Sequence, residues 1–189
     1  SGVSSRVFKD GDWGFSSNAN INNSTIEKVI NSSTENATFL NSRNINKCGI
    51  LLPEDTFSHE FDFTTKKNKN PNSFWISFIK DLDAYITDKY KQITSRKIFI
   101  SNLDMEKNLL TSTGAESYSM TPRSLLYMIL TVENQGQPVE LMDVFGGLGQ
   151  LEDNFNGPEI FYPEIDKLVD KLLQKSKGVH AKAGYHDVV

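Results

Sequence analysis

Apolar positions fall into short blocks along the chain. Arg6–Phe8 and Trp13–Phe15 flank Asp10-Gly11, and this pattern predicts a β-hairpin because Asp-Gly supplies the positive-φ turn that a tight hairpin prefers. Ser24-Thr25-Ile26-Glu27 has capping-box spacing and predicts a short helix over about Thr25 to Ser33, facing inward through Ile26, Val29 and Ile30. From Asn31 to Asn72 the chain is mostly polar, broken by Cys48 to Leu52 and by Phe57, Phe61 and Phe63. This stretch is read as a variable arm, strand-like where the phenylalanines alternate and least anchored at Thr64 to Asn72.

A strong stripe at three- and four-residue spacing follows: Phe74, Trp75, Phe78, Ile79, Leu82, Tyr85 and Ile86. It predicts an amphipathic helix over Ser73 to Tyr90 whose stripe is core. Strand-like runs come next at 96–101, 108–113, 124–132 and 139–145, with turns at 102–107, 114–122 and 133–138. Neighbouring strands joined by short turns imply an antiparallel meander, since parallel neighbours need longer crossovers. Pro163 opens another amphipathic helix, Tyr162 to Lys175, through Ile165, Leu168, Val169, Leu172 and Leu173. The expected class is α+β: a mainly antiparallel sheet of meander and hairpins carrying two or three packed helices. The chain opens without methionine, in what reads as the middle of a sheet, and Tyr185 to Val189 reads as the start of a strand. Residues are therefore expected to precede and follow it.

Composition narrows the function classes. A net charge of −4 gives no basic face for phosphate neutralisation, so nucleic acid is not an expected partner. No apolar run reaches the roughly 20 residues of a membrane span, and Ser1–Ser5 is not a signal peptide, so a cytoplasmic location is expected and no membrane partner. The one cysteine, Cys48, rules out an intramolecular disulfide and reads as a small buried side chain beside Ile50, Leu51 and Leu52 rather than a nucleophile. Sequons at Asn22, Asn23, Asn31 and Asn36 read as chance in an Asn/Ser-rich stretch.

Candidate chemistry is sparse. His59-Glu60 lacks the second histidine of a zinc helix and sits in a strand-like alternation. His180 and His186 fall in a Gly-containing loop without ligand spacing. Gly146-Gly147-Leu148-Gly149 follows a strand but lacks the Gly-Lys-Ser/Thr of a phosphate loop, and Glu152-Asp153 places negative charge nearby. It reads as a bulge or turn, with close approach of another chain as the alternative. Glu159, Glu164 and Asp166 flank a helix start, where carboxylates suit the dipole. No catalytic, cofactor-binding or metal-binding residue is expected in this chain.

The stretch Arg6-Val7-Phe8-Lys9-Asp10-Gly11-Asp12-Trp13-Gly14-Phe15-Ser16-Ser17 resembles the early hairpin of the TldD/PmbA family, zinc metallopeptidases also called modulators of DNA gyrase. The order of elements is similar along the whole chain, and Trp13-Gly14-Phe15 with the glycine-rich stretch is closer to the TldD branch. The resemblance implies that residues 1–189 are an amino-terminal domain, with 31–72 a variable arm inside it. It implies a following carboxy-terminal catalytic domain that binds zinc through H-E-x-x-x-H and a later cysteine. It implies a homo- or heterodimer with a family subunit, and unfolded peptides as substrate. The expected role is a non-catalytic scaffold and substrate-access domain; the alternative is a catalytically inactive partner subunit or peptide-binding interaction domain of the same fold.

Overall fold

The computed structural model describes residues 1–44, 56–179 and 183–185. The expectations for Cys48, His180, His186 and the strand through Val189 lie outside the described residues or run past them. The chain divides into two compact units, Ser1–Asp55 and Thr56–Val189.

In the first unit, β1 (Val3–Lys9) and β2 (Asp12–Asn18) form the expected antiparallel hairpin, with Phe8 opposite Trp13 and Val7 opposite Gly14. Asp10 and Gly11 turn it at φ 51° and 100°. The helix that follows, α1 (Asn23–Arg43), is much longer than Thr25 to Ser33. Its cap is Asn22, whose Oδ1 accepts the Thr25 N–H at 2.9 Å, and Ser24 supports that cap by donating its hydroxyl to the same oxygen at 2.9 Å. The buried stripe is Thr25, Val29, Ser33 and Ala37, one residue every four, whereas Ile30 is exposed. Apolar periodicity ends the helix early because the stripe beyond Val29 is made of small residues, chosen for close approach rather than for hydrophobic area. The polar arm therefore does not begin at Asn31.

The second unit is built around β5 (Glu116–Asn134). On one side it pairs antiparallel with β4 (Ile93–Leu110) along almost its whole length. Its other side is shared end to end by β6 (Gln137–Leu148), antiparallel over Arg123–Asn134, and by β3 (Ser58–Asp62), parallel over Glu116–Met120. Pro122 falls at the gap between these two partners, where a missing N–H costs no ladder bond. The class is α+β and mostly antiparallel, as expected, with one parallel edge pair.

One expected turn, 102–107, is absent, and the one expected at 114–122 is confined to its first two residues, Glu116 onward being strand. Asn102–Lys107 and Thr121–Pro122 are strand, and β4 and β5 are joined only by the tight turn at Thr111–Ala115, with Gly114 at φ 92°. Polar residues there mark a ribbon left uncovered by helices, not a break in it. The third turn narrows to Gln135-Gly136 at φ 53° and 75°.

Helices α2 (Asn72–Lys89) and α4 (Tyr162–Ser176) lie where their stripes predict. Phe78, Leu82 and Ile86 of α2 and Ile165, Leu168, Val169 and Leu172 of α4 bury against Leu126, Met128, Leu130 and Val132 of β5. Phe155 and Phe161, from the segment joining β6 to α4, complete this core. That segment holds a one-turn helix, α3 (Leu151–Asn154), and a 3-10 turn, Pro158–Phe161.

Thr64 to Asn70 is not unanchored. The Thr65 hydroxyl donates to Asp153 at 2.7 Å, the Lys67 ammonium to the Glu152 carbonyl at 2.6 Å and the Asn70 N–H to the Glu152 carboxylate at 2.8 Å. Polar groups hold it where apolar ones are missing, and the buried side chains of Gln150 and Glu152 are satisfied in return.

Candidate functional site

Strand alternation gives the sheet of the second unit two unlike faces. Even-numbered positions of β5 point to the helices, and its odd-numbered positions point away with their neighbours across the ladders. On this bare face Phe99, Tyr127 and Val144 lie in one row across the three strands, with Leu103, Arg123 and Leu148 in the next but one. The Phe99 and Tyr127 rings stack at 4.6 Å and 10°. Farther along, Phe61 of β3 and Leu109 of β4 share the face, and His59 lies between Phe57 and Phe61 with ring centroids 5.4 and 5.9 Å away. Phe61, Phe99, Leu103, Leu109, Met142 and Leu148 are all exposed. Exposed apolar side chains gathered on one face of a sheet make that face a candidate contact surface.

The candidates read from sequence disperse over this frame. His59 and Glu60 are successive strand residues, so they project to opposite faces and cannot share one ion in the manner of a zinc helix. Among the described residues, no three His, Cys, Asp or Glu side chains converge as a metal site.

The glycine-rich stretch closes the end of β6. Gly146 has φ 114°, and a Cβ there would stand 2.2 Å from the Ser124 carbonyl oxygen; Gly149 has φ 110° and abuts Asp153. Gly147 alone is open, with nothing within 4 Å. The Asp153 carboxylate accepts the Gln150 N–H at 2.9 Å, so the group occupying this turn is the chain's own anion. Two of these glycines are thus required by backbone geometry rather than by a ligand. Of the sequon asparagines, Asn22 is the cap of α1, and the Asn36 amide donates to the Phe15 carbonyl at 2.9 Å.

Asp166 does not serve the start of α4 as its position suggests; it ties α4 to α2. Its carboxylate accepts from Tyr85 at 2.8 Å, Tyr90 at 2.5 Å and Lys89 at 2.7 Å, while the Tyr85 and Tyr162 rings stack at 3.9 Å. Burial works against the charge on Asp166, but the three donors, Lys89 foremost, outweigh it and lower its pKa. Burial first, then Asp166, pushes the Tyr90 phenol up to about 12. The bonds to Asp166 and then Tyr85 raise the Lys89 pKa.

The signs follow. Stability held by Tyr90 and Lys89 is fully present below their unfolded values near 10 and is lost as pH rises through the folded ones. Stability held by Asp166 is present above about pH 4 and is lost as pH falls through its depressed value. In an ultraviolet titration, Tyr90 should ionise with a midpoint raised to about 12. Asp166→Asn should lower its midpoint only part of the way, because burial remains. An unmoved midpoint would show that Asp166 does not hold the phenol. No sequence signal links Asp166 to the α2 tyrosines, which lie 76 and 81 residues away.

Residues 1–37 match the family model described as PmbA/TldA metallopeptidase domain 1. The hairpin and most of the helix are thus similar to the first domain of that family. The match spans β1, β2 and most of α1, so the matched segment includes the close packing of Gly14 on the helix. No curated protein matches the chain at a significant level. No helix among the described residues is long and apolar enough to cross a membrane.

Proposed function

We propose that this chain is the non-catalytic amino-terminal scaffold and substrate-access domain of a TldD-like zinc metallopeptidase acting on unfolded peptides in the cytoplasm. The observation that carries the reading is the bare apolar face of Phe61, Phe99, Leu103, Met142 and Leu148 in a chain whose first segment is of PmbA/TldD type. Such a face is suited to seat a catalytic domain that follows in the natural protein, with residues 1–189 restricting entry to an extended chain. The described residues offer no ligand set for zinc, so the proposal puts the metal in that following domain. A homo- or heterodimer with a second family subunit belongs to the same reading.

Metal analysis and an unfolded-peptide cleavage assay on two chains test it. Residues 1–189 alone should hold no stoichiometric zinc and cleave nothing, and a chain running on through the following domain should do both. Stoichiometric zinc with chelator-sensitive cleavage in the short chain would overturn the proposal. An inactive longer chain would favour an inactive partner subunit instead.

A further inference from the structure

Asparagine is frequent in this chain, but only Asn156 is followed by glycine. The pair bridges two anchors. Phe155 and Phe161, on either side, are 1% and 8% exposed, whereas Asn156 is exposed between the end of α3 and the 3-10 turn at Pro158–Phe161. Glycine carries no side chain to obstruct its own backbone nitrogen, so the Gly157 nitrogen closes on the Asn156 side-chain carbon by rotation about Asn156's own bonds.

Two neighbouring groups favour that closure. The Lys67 ammonium donates to Asn156 Oδ1 at 3.2 Å and is held in place by donating also to the Glu152 carbonyl at 2.6 Å. A cation on this oxygen draws electrons from the amide carbon and stabilises the negative charge that gathers there as the carbon becomes tetrahedral; being already fixed, it reorganises little during the reaction. On the other side the Glu159 carboxylate lies against Gly157, with its Oε2 2.8 Å from where a Cβ would stand. Among the described residues the Gly157 N–H has no hydrogen-bond partner, so its proton is open to that carboxylate or to water. An amide carbon, a cation on its oxygen, an adjacent nitrogen nucleophile and a base are the parts of an acyl transfer.

We propose that Asn156 is a modification site of the folded protein, losing its side-chain amide to attack by the Gly157 nitrogen with Lys67 promoting the step. The Gly157 nitrogen gives up its proton and bonds to Asn156 Cγ; the Cγ–Nδ2 bond breaks, and ammonia leaves carrying that proton. Water then opens the five-membered imide at one of its two C–N bonds. Opening at Cγ gives aspartate, whose carboxylate faces the Lys67 ammonium and turns a hydrogen bond into an ion pair. Opening at the main-chain carbonyl gives isoaspartate, which routes the backbone through one extra carbon between Phe155 and Gly157 and so loosens the link between two core rings. Water is the only co-reactant. This inference does not depend on the scaffold reading.

The folded 189-residue chain, held at slightly alkaline pH and digested after increasing times, should show the mass gain of an amide-to-acid change first in the peptide holding Asn156. Isoaspartyl methyltransferase should label the same peptide. Asn23 and Asn41, followed by serine and lying in α1, should lag well behind in the same sample. Lys67→Met should slow the conversion about tenfold, the value of one charge-assisted hydrogen bond made to the transition state, and Lys67→Arg should restore it. Thr65→Ala removes a neighbouring anchor of the same segment without touching the ammonium, and should leave the rate nearly unchanged. An Asn156 that stays intact in the folded protein would overturn the proposal. So would a Lys67→Met variant that converts as fast as the parent, since the site would then be no more than a reactive Asn-Gly pair, or an equal slowing by Thr65→Ala, which would assign the effect to anchoring rather than charge.

Discussion

Phe78→Ala should lower the stability of the second unit by about 3–5 kcal/mol, the largest loss expected from any single truncation in its core. The Phe78 side chain is 2% exposed, and its ring lies 5.9 to 6.1 Å from those of Trp75, Phe155 and Phe161. Three structural pieces meet there: α2, the α3 segment and the 3-10 turn before α4. Removing the ring leaves a cavity walled by other rings, which are too rigid to collapse into it. With a denaturant slope of about 2 kcal/mol per molar, the urea midpoint should fall by about 2 M, followed through the fluorescence of Trp75. Phe99→Ala removes the same atoms from the bare face, where Phe99 is 44% exposed, and should cost under about 1 kcal/mol in the monomer. Equal losses at the two positions would mean that the bare face is in fact a second core.

In the first unit, Gly14→Ala should separate α1 from the hairpin. An added Cβ would stand 1.9 Å from the Ser33 carbonyl oxygen and 2.4 Å from the Ala37 nitrogen, both backbone atoms of the helix. No side-chain rotation relieves a clash with backbone on that side, so the helix must move outward. Ser33 and Ala37, both fully buried, would then lose their contact, and the hydrogen bond from Ser33 to Ser5 at 3.0 Å would open. Overpacking of this kind costs about 1–3 kcal/mol and sometimes more, and backbone-on-backbone contact belongs at the upper end. Amide exchange in α1 should accelerate, and the emission of Trp13 should shift. Phe15→Ala, on the exposed side of the same hairpin at 55% exposure, should leave both nearly unchanged. If Gly14→Ala leaves exchange in α1 as it was, the close approach is not what holds this unit together.

The contact surface was only half legible in the sequence. Phe57, Phe61 and Phe63 were visible as an alternating strand, but their face could be assigned only once β3 was paired with Glu116–Met120. The Asp166 tie and the anchoring of Thr65, Lys67 and Asn70 on Gln150, Glu152 and Asp153 carry no local pattern at all. Hydrogen bonds between residues many positions apart leave no periodic trace. The glycine-rich stretch gave the right general reading, a turn ending a strand, without telling which glycines geometry requires.

Local rules determined the elements whose stabilisation is itself local. The Asp10-Gly11 hairpin, the α2 stripe from Trp75 to Ile86 and the Pro163-initiated α4 all followed from turn chemistry and apolar period, and with them the α+β class. The resemblance of Arg6 to Ser17 to the PmbA/TldD hairpin was likewise contained in contiguous residues. Tertiary structure decided the rest. It extended α1 to Arg43, because a stripe of Ser33 and Ala37 gains its stability from fitting against Gly14 rather than from apolar area. It carried β4 through Asn102–Lys107, because a strand is held by its ladder to β5 and tolerates polar side chains wherever no layer covers them. It left one sheet face open, since which side of a strand meets a helix and which meets nothing depends on partners distant in sequence, and no window of neighbouring residues contains them.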